Sequence, residues 1–105
     1  MSANTNINIT KGQLVHCSAE FKAYINGVLT LVDPSFVYFK FKRPGAVTTT
    51  YTYGVDTELV KSEVGKYYVD LDTSLYSGTW YYKFYSTGDY QAAQQGEFIV
   101  EVDKL

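Results

Sequence analysis

One cysteine, one histidine and two prolines among 105 residues exclude several kinds of protein at once. With Cys17 alone no internal disulfide forms, so the fold must stand on its core, and synthesis in a reducing cytoplasm is the simplest reading. His16 has no serine or carboxylate tied to it by spacing, so no nucleophile and base pair is recognisable, and neither catalytic residues nor a cofactor are expected. Asp56, Glu58, Asp70 and Asp72 lack the Asp-x-Asp-x-Asp-Gly spacing of a calcium loop, so no metal site is expected either. Gly45, Gly54 and Gly65 do not combine into a phosphate-cradling loop and read as turns. An excess of positive charge is missing too. Nine Lys plus Arg against eleven Asp plus Glu leave a net charge of −2, which supplies no field for a nucleic-acid backbone. No apolar run reaches the roughly 18 residues of a membrane span, and residues 1–13 have neither the charged nor the apolar region of a secretion signal. Neither a membrane partner nor secretion is expected.

What the chain does contain is strand-forming material. Alanine and leucine number only six and seven, against eleven tyrosines, six phenylalanines and abundant valine and threonine. Alternation with period two recurs between Gly, Pro and Asp punctuation, and no window keeps apolar positions at helical spacing for three turns. In a first long strand Val15, Cys17, Ala19 and Phe21 share one side; Asn26-Gly27 then turns the chain into a short strand over residues 28–32 that Asp33-Pro34 closes. Residues 36–42 read as a central strand with Val37, Phe39 and Phe41 inward and Phe36, Tyr38, Lys40 and Lys42 outward. Pro44-Gly45 turns into a return strand over residues 47–53, whose Thr48, Thr50 and Thr52 suit solvent or a sheet edge.

A short strand is expected over residues 58–61. Tyr67, Val69 and Leu71 point inward opposite Asp70 and Asp72 in the next one. Trp80, Tyr82 and Phe84, and finally Phe98, Val100 and Val102, supply the remaining inward sets. Seven or eight strands at a spacing of about 8 to 12 residues predict an all-β protein, an antiparallel two-sheet sandwich. Residues 11–103 form a single domain in this reading, and the polar residues 1–10 a flexible N-terminal arm that orders only against something else.

Gly78-Thr-Trp80-Tyr-Tyr82 reads as a sandwich corner of immunoglobulin type, with Trp80 at the aromatic position and Tyr82 where a cysteine would stand two residues later. Core alternation leaves Phe36, Tyr38, Tyr68, Tyr81, Tyr85, Tyr90 and Ile99 on outward positions. In an immunoglobulin-like strand order the third, sixth and seventh strands are neighbours, so Tyr38, Tyr81, Tyr85 and Ile99 share one exposed sheet face. Such a patch marks a protein interface or a sugar-stacking platform, the plainer alternative being a cross-strand aromatic ladder that only stabilises the sheet.

Thr30-Leu-Val-Asp-Pro34, Arg43-Pro-Gly45, Thr50-Tyr-Thr-Tyr-Gly54, Gly65-Lys-Tyr-Tyr-Val-Asp70, Gly78-Thr-Trp-Tyr-Tyr82 and Gln91-Ala-Ala-Gln-Gln-Gly-Glu-Phe98 recur in an order that resembles a family of small immunoglobulin-like proteins of tailed bacteriophages and prophages. The resemblance covers about residues 12–102 and departs from the family pattern at Lys61-Ser-Glu-Val64 and at Tyr85. It implies an immunoglobulin-like antiparallel β-sandwich serving as a non-enzymatic capsid decoration, neck or tail component. Its partners would be other phage structural proteins or further copies within the virion, after synthesis in the bacterial host cytoplasm. The alternative is a carbohydrate-binding or adhesion module that uses the same tyrosines.

Overall fold

In the computed structural model, which describes residues 7–102, the alternation around Phe39 resolves into a central strand, β5 (Phe36–Lys42), with Val37, Phe39 and Phe41 buried and Lys42 exposed. The strands before it are β1 (Ile7–Thr10), β2 (Leu14–Glu20), β3 (Lys22–Ile25) and β4 (Val28–Leu31). Those after it are β6 (Thr49–Thr52), β7 (Val60–Glu63), β8 (Lys66–Asp72), β9 (Gly78–Thr87) and β10 (Ala92–Glu101). A five-stranded sheet runs β1-β10-β9-β5-β6, a three-stranded sheet runs β2-β8-β7, and β3 and β4 pair as a separate ribbon. All pairings are antiparallel except that of β1 with β10.

The two sheets bury their apolar sides in one core. Cys17, Ala19, Val69 and Leu71 come from the smaller sheet and Phe39, Phe41, Trp80, Phe84, Phe98 and Val100 from the larger. Aromatic rings dominate it: Trp80 lies parallel to Phe41, with centroids 6.2 Å apart, and stacks on Phe98 at 5.5 Å. These separations lie in the range where ring pairs add to simple area burial.

Several expectations are corrected. Ile7–Thr10, assigned to the arm, are strand β1, in parallel register with Phe98 to Glu101, and Ile9 is buried. The reason is that β10 offers an open edge with a core position beside it, and Ile9 fills that position. The rest of the expected arm, residues 1–6, lies outside the described residues. The first long strand is two strands, because the chain leaves the smaller sheet at Phe21. There the Phe21 N–H donates to the Gly65 carbonyl at 2.8 Å and the Phe21 carbonyl accepts from Val32 at 2.9 Å. With β1 and the ribbon, ten strands are present among the described residues rather than seven or eight. The return strand shortens to Thr49–Thr52, leaving Val47 and Tyr53 exposed, and the short strand expected over residues 58–61 shifts to Val60–Glu63 behind a buried Leu59. Val102 is 62% exposed rather than inward, since the ladder with β1 ends at Glu101.

Asp33 clamps the ribbon to the smaller sheet. Its Oδ1 accepts from the Gly65 N–H at 2.9 Å and from the Tyr67 hydroxyl at 3.1 Å, and its Oδ2 accepts from the Lys61 ammonium at 2.7 Å. The Lys61 bond first, then those from Gly65 and Tyr67, hold its carboxyl below the usual carboxylate range.

Candidate functional site

Alternation on three neighbouring strands builds the outer face of the larger sheet, and their register sets its rows. Tyr38 on β5 stands directly opposite Tyr85 on β9, and the two rings stack at 5.0 Å and 22°. In the next row Lys40 faces Lys83, with Gln95 of β10 beyond. The third row is Lys42, Tyr81 and Glu97, and the fourth holds Thr79, Ile99 and Asn8 of β1. The expected four residues therefore do share a face, but not a single aromatic patch. Tyr38 and Tyr85 are half-buried at one end, Tyr81 is 53% exposed in the third row, and Ile99 is half-buried at the other end.

Sequence reasoning missed the lysines between them. The ammonium groups of Lys40 and Lys83 lie 5.6 and 5.3 Å from the centre of the Tyr85 ring, within reach of its negative face. Lys40, Lys42, Lys83, Tyr81, Gln95 and Thr48 line a shallow groove of about 210 Å³. The outward positions of Lys40 and Lys42 were legible from alternation; that Lys83 stands opposite Lys40 depends on cross-strand register, which one sequence does not display.

Charge is segregated between the two sheets. The ion pairs among the described residues are His16–Asp70 at 2.7 Å, Lys61–Asp33 at 2.7 Å, Glu20 with Lys22 and Lys66 at 3.3 and 3.8 Å, and Glu63–Lys66 at 3.6 Å. All of them lie on the smaller sheet, the ribbon or the loop after it. Lys40, Lys42 and Lys83 have no carboxylate within 4 Å among the described residues.

His16 gains in Asp70 the partner that spacing did not reveal, but both are exposed and no Ser or Thr hydroxyl among the described residues bonds the ring. The arrangement is a surface pair with no nucleophile to activate. Among the described residues no three His, Cys, Asp or Glu side chains gather as a metal-binding group. Cys17 is buried, and burial, with a smaller contribution from the Asp70 charge, pushes its thiol up to about 12. Native protein at pH 8 is therefore expected to react with a thiol probe only as fast as it unfolds, and its melting temperature to be indifferent to reductant. Rapid stoichiometric labelling without denaturant would contradict this.

No protein-family model matches the chain, and no curated protein sequence is detectably similar to it. Among solved structures, a chain of the complex of Dpr11 IG1 bound to DIP-gamma IG+IG2 superposes with a TM-score of 0.51 at 11% identity, covering 94% of this chain and 100% of that one. The fold is an immunoglobulin-like β-sandwich. The ZIG-8 IG1 homodimer is a weaker likeness, at a TM-score of 0.49 and 11% identity over 94% of this chain and 80% of that one.

Within this immunoglobulin-like fold the place of the usual inter-sheet disulfide is taken by Cys17 on β2 and Tyr82 on β9. Burial first, and the Cys17 thiol second, push the Tyr82 hydroxyl above its ordinary value. Phe39 of β5 stacks on Tyr82 at 5.8 Å. The Trp80 indole N–H donates to the Tyr76 carbonyl at 3.2 Å, doing at this corner what a tyrosine hydroxyl does in antibody domains.

Proposed function

We propose that this immunoglobulin-like domain is a protein-binding module without catalytic activity, docking through the outer face of its five-stranded sheet as a structural or accessory component of a tailed-phage particle. The observation that carries the docking surface is Tyr81. Apart from Phe36 at the start of β5, which is 58% exposed, it is the most exposed large aromatic on that face, at 53%, and it lies beside a groove lined by lysines that have no ionic partner among the described residues. Aromatic side chains with a polar tip supply much contact area at low entropy cost, and they are enriched at interface centres. The phage setting is supported by the sequence resemblance alone. In the solved complex of the same fold, Dpr11 IG1 is bound to DIP-gamma; for the present chain the support is its own surface.

The structure refines the test. Tyr85 holds Tyr38 and two lysines in place, so its removal would mix stability with binding, whereas Tyr81 packs against no aromatic neighbour among the described residues. Tyr81→Ser is expected to melt with the parent, within about 0.5 kcal/mol. Its incorporation into purified virions, quantified by mass spectrometry, should fall by more than about tenfold, because truncating a central interface aromatic commonly costs about 2 kcal/mol. Normal incorporation of a folded Tyr81→Ser protein would remove the face from the assembly. Normal incorporation with lost retention on a glycan array would assign the same tyrosine to sugar stacking instead.

A further inference from the structure

We infer that the surface docked on this face is an acidic protein segment in extended conformation, whose carboxylates at alternate positions meet Lys40, Lys42 and Lys83. The inference rests on the docking face proposed above and adds the chemistry of the partner.

Lys40 and Lys83 are directly opposed on adjacent strands. Like charges so placed destabilise a sheet, and a neighbouring carboxylate would relieve them. This chain has eleven acidic residues to draw on, yet none lies within 4 Å of these lysines among the described residues. The Tyr85 ring, shared by both ammonium groups, offsets part of the repulsion but neutralises no charge. Glu97, on the same face, stands opposite Tyr81 and makes no ion pair among the described residues. An unrelieved positive cluster on a chain of net charge −2 is a local field that a carboxylate-bearing partner would complete.

Geometry narrows the partner further. Lys40 and Lys42 are two residues apart on one strand, so their side chains leave the sheet about 7 Å apart. That is the spacing of alternate side chains on an extended partner strand. The groove they line, about 210 Å³ in volume, has room for one carboxylate side chain beside Tyr81. Three cations are too few to hold a nucleic-acid backbone against the chain's net negative charge.

The test is an NMR titration of the ¹⁵N-labelled full chain with a synthetic octapeptide of alternating Glu and Thr, with its Gln-for-Glu counterpart, and with a uronic-acid oligosaccharide. Saturable amide shifts confined to β5, β9 and β10 are expected with the Glu peptide. Affinity should fall with added salt and drop at least about tenfold in Lys40→Gln/Lys83→Gln, while the charge-preserving Lys40→Arg/Lys83→Arg protein retains it. No shifts, equal shifts with the Gln peptide, or a stronger response to the oligosaccharide would each overturn the inference. Virion incorporation separates it from the reading beneath. If Lys40→Gln/Lys83→Gln incorporates normally while Tyr81→Ser does not, the acidic partner is wrong and the docking face stands. If both incorporate normally, the docking face falls as well.

Discussion

Trp80→Ala is expected to lower the free energy of unfolding by about 3 to 5 kcal/mol. Only 1% of Trp80 is exposed; its ring is sandwiched by Phe41 and Phe98, and its N–H satisfies the Tyr76 carbonyl. Truncation removes the stack, opens a cavity between sheets that cannot close on it, and leaves that carbonyl without its donor. A domain of this size has about 5 to 15 kcal/mol in total, so the variant should be marginal or unfolded at 37 °C. Trp80→Phe keeps most of the stacking and loses the hydrogen bond, for an expected cost nearer 1 to 2 kcal/mol. Urea denaturation followed by circular dichroism measures both. A Trp80→Ala midpoint equal to that of the parent would displace Trp80 from the centre of the core.

Gly65→Ala should cost about 2 to 4 kcal/mol, through backbone rather than side-chain packing. Gly65 has φ +75°, and a Cβ there would stand 2.9 Å from the Phe21 carbonyl oxygen and 3.0 Å from the Val32 nitrogen. Those two atoms are hydrogen-bonded to each other and cannot move apart without freeing the ribbon from the smaller sheet. Gly27→Ala is the control, because Gly27 has a similar φ of +80° with nothing within 4 Å, and it should lose only about 1 kcal/mol. Equal melting temperatures for the two variants would show that backbone torsion, and not the close approach, decides. The same junction is acid-sensitive. Since the Asp33 pKa is lowered on folding, its contribution is complete above the ordinary carboxylate value of about 3.9 and disappears as pH falls through the lowered one. Asp33→Asn should flatten that acid limb of the stability curve.

Faces were legible wherever burial on one side made the alternation strict, as in Val37-Phe39-Phe41, Tyr67-Val69-Leu71 and Trp80-Tyr82-Phe84, all of which point inward or pack against the core. The placing of Tyr82 where a cysteine would stand was legible for a similar reason, since a fixed offset from the corner aromatic sets it; that Cys17 lies on the facing strand was not. Features that depend on pairing between distant segments were not. Asn8 and Thr10 look like an arm because their polarity is that of an edge strand whose partner lies at the other end of the chain. The break at Phe21 is invisible because Phe21 continues the alternation of β2 while its hydrogen bonds go to Gly65 and Val32. The lysine cluster escaped notice because it becomes a cluster only when β5 and β9 lie in register.

The parallel pairing of β1 with β10 also imposes a schedule on synthesis. Ile7 is matched with Phe98, about ninety positions later, so β1 leaves the ribosome well before any partner for it exists. At roughly 5 to 20 residues per second that wait is on the order of 5 to 20 seconds, far longer than a hairpin needs to form. The antiparallel hairpin of β9 with β10 closes locally, whereas β1 must be recruited across almost the whole domain. The row in which Asn8 adjoins Ile99 is accordingly the last part of the outer face of the larger sheet to be built, and a nascent chain carries that face incomplete until β10 has emerged.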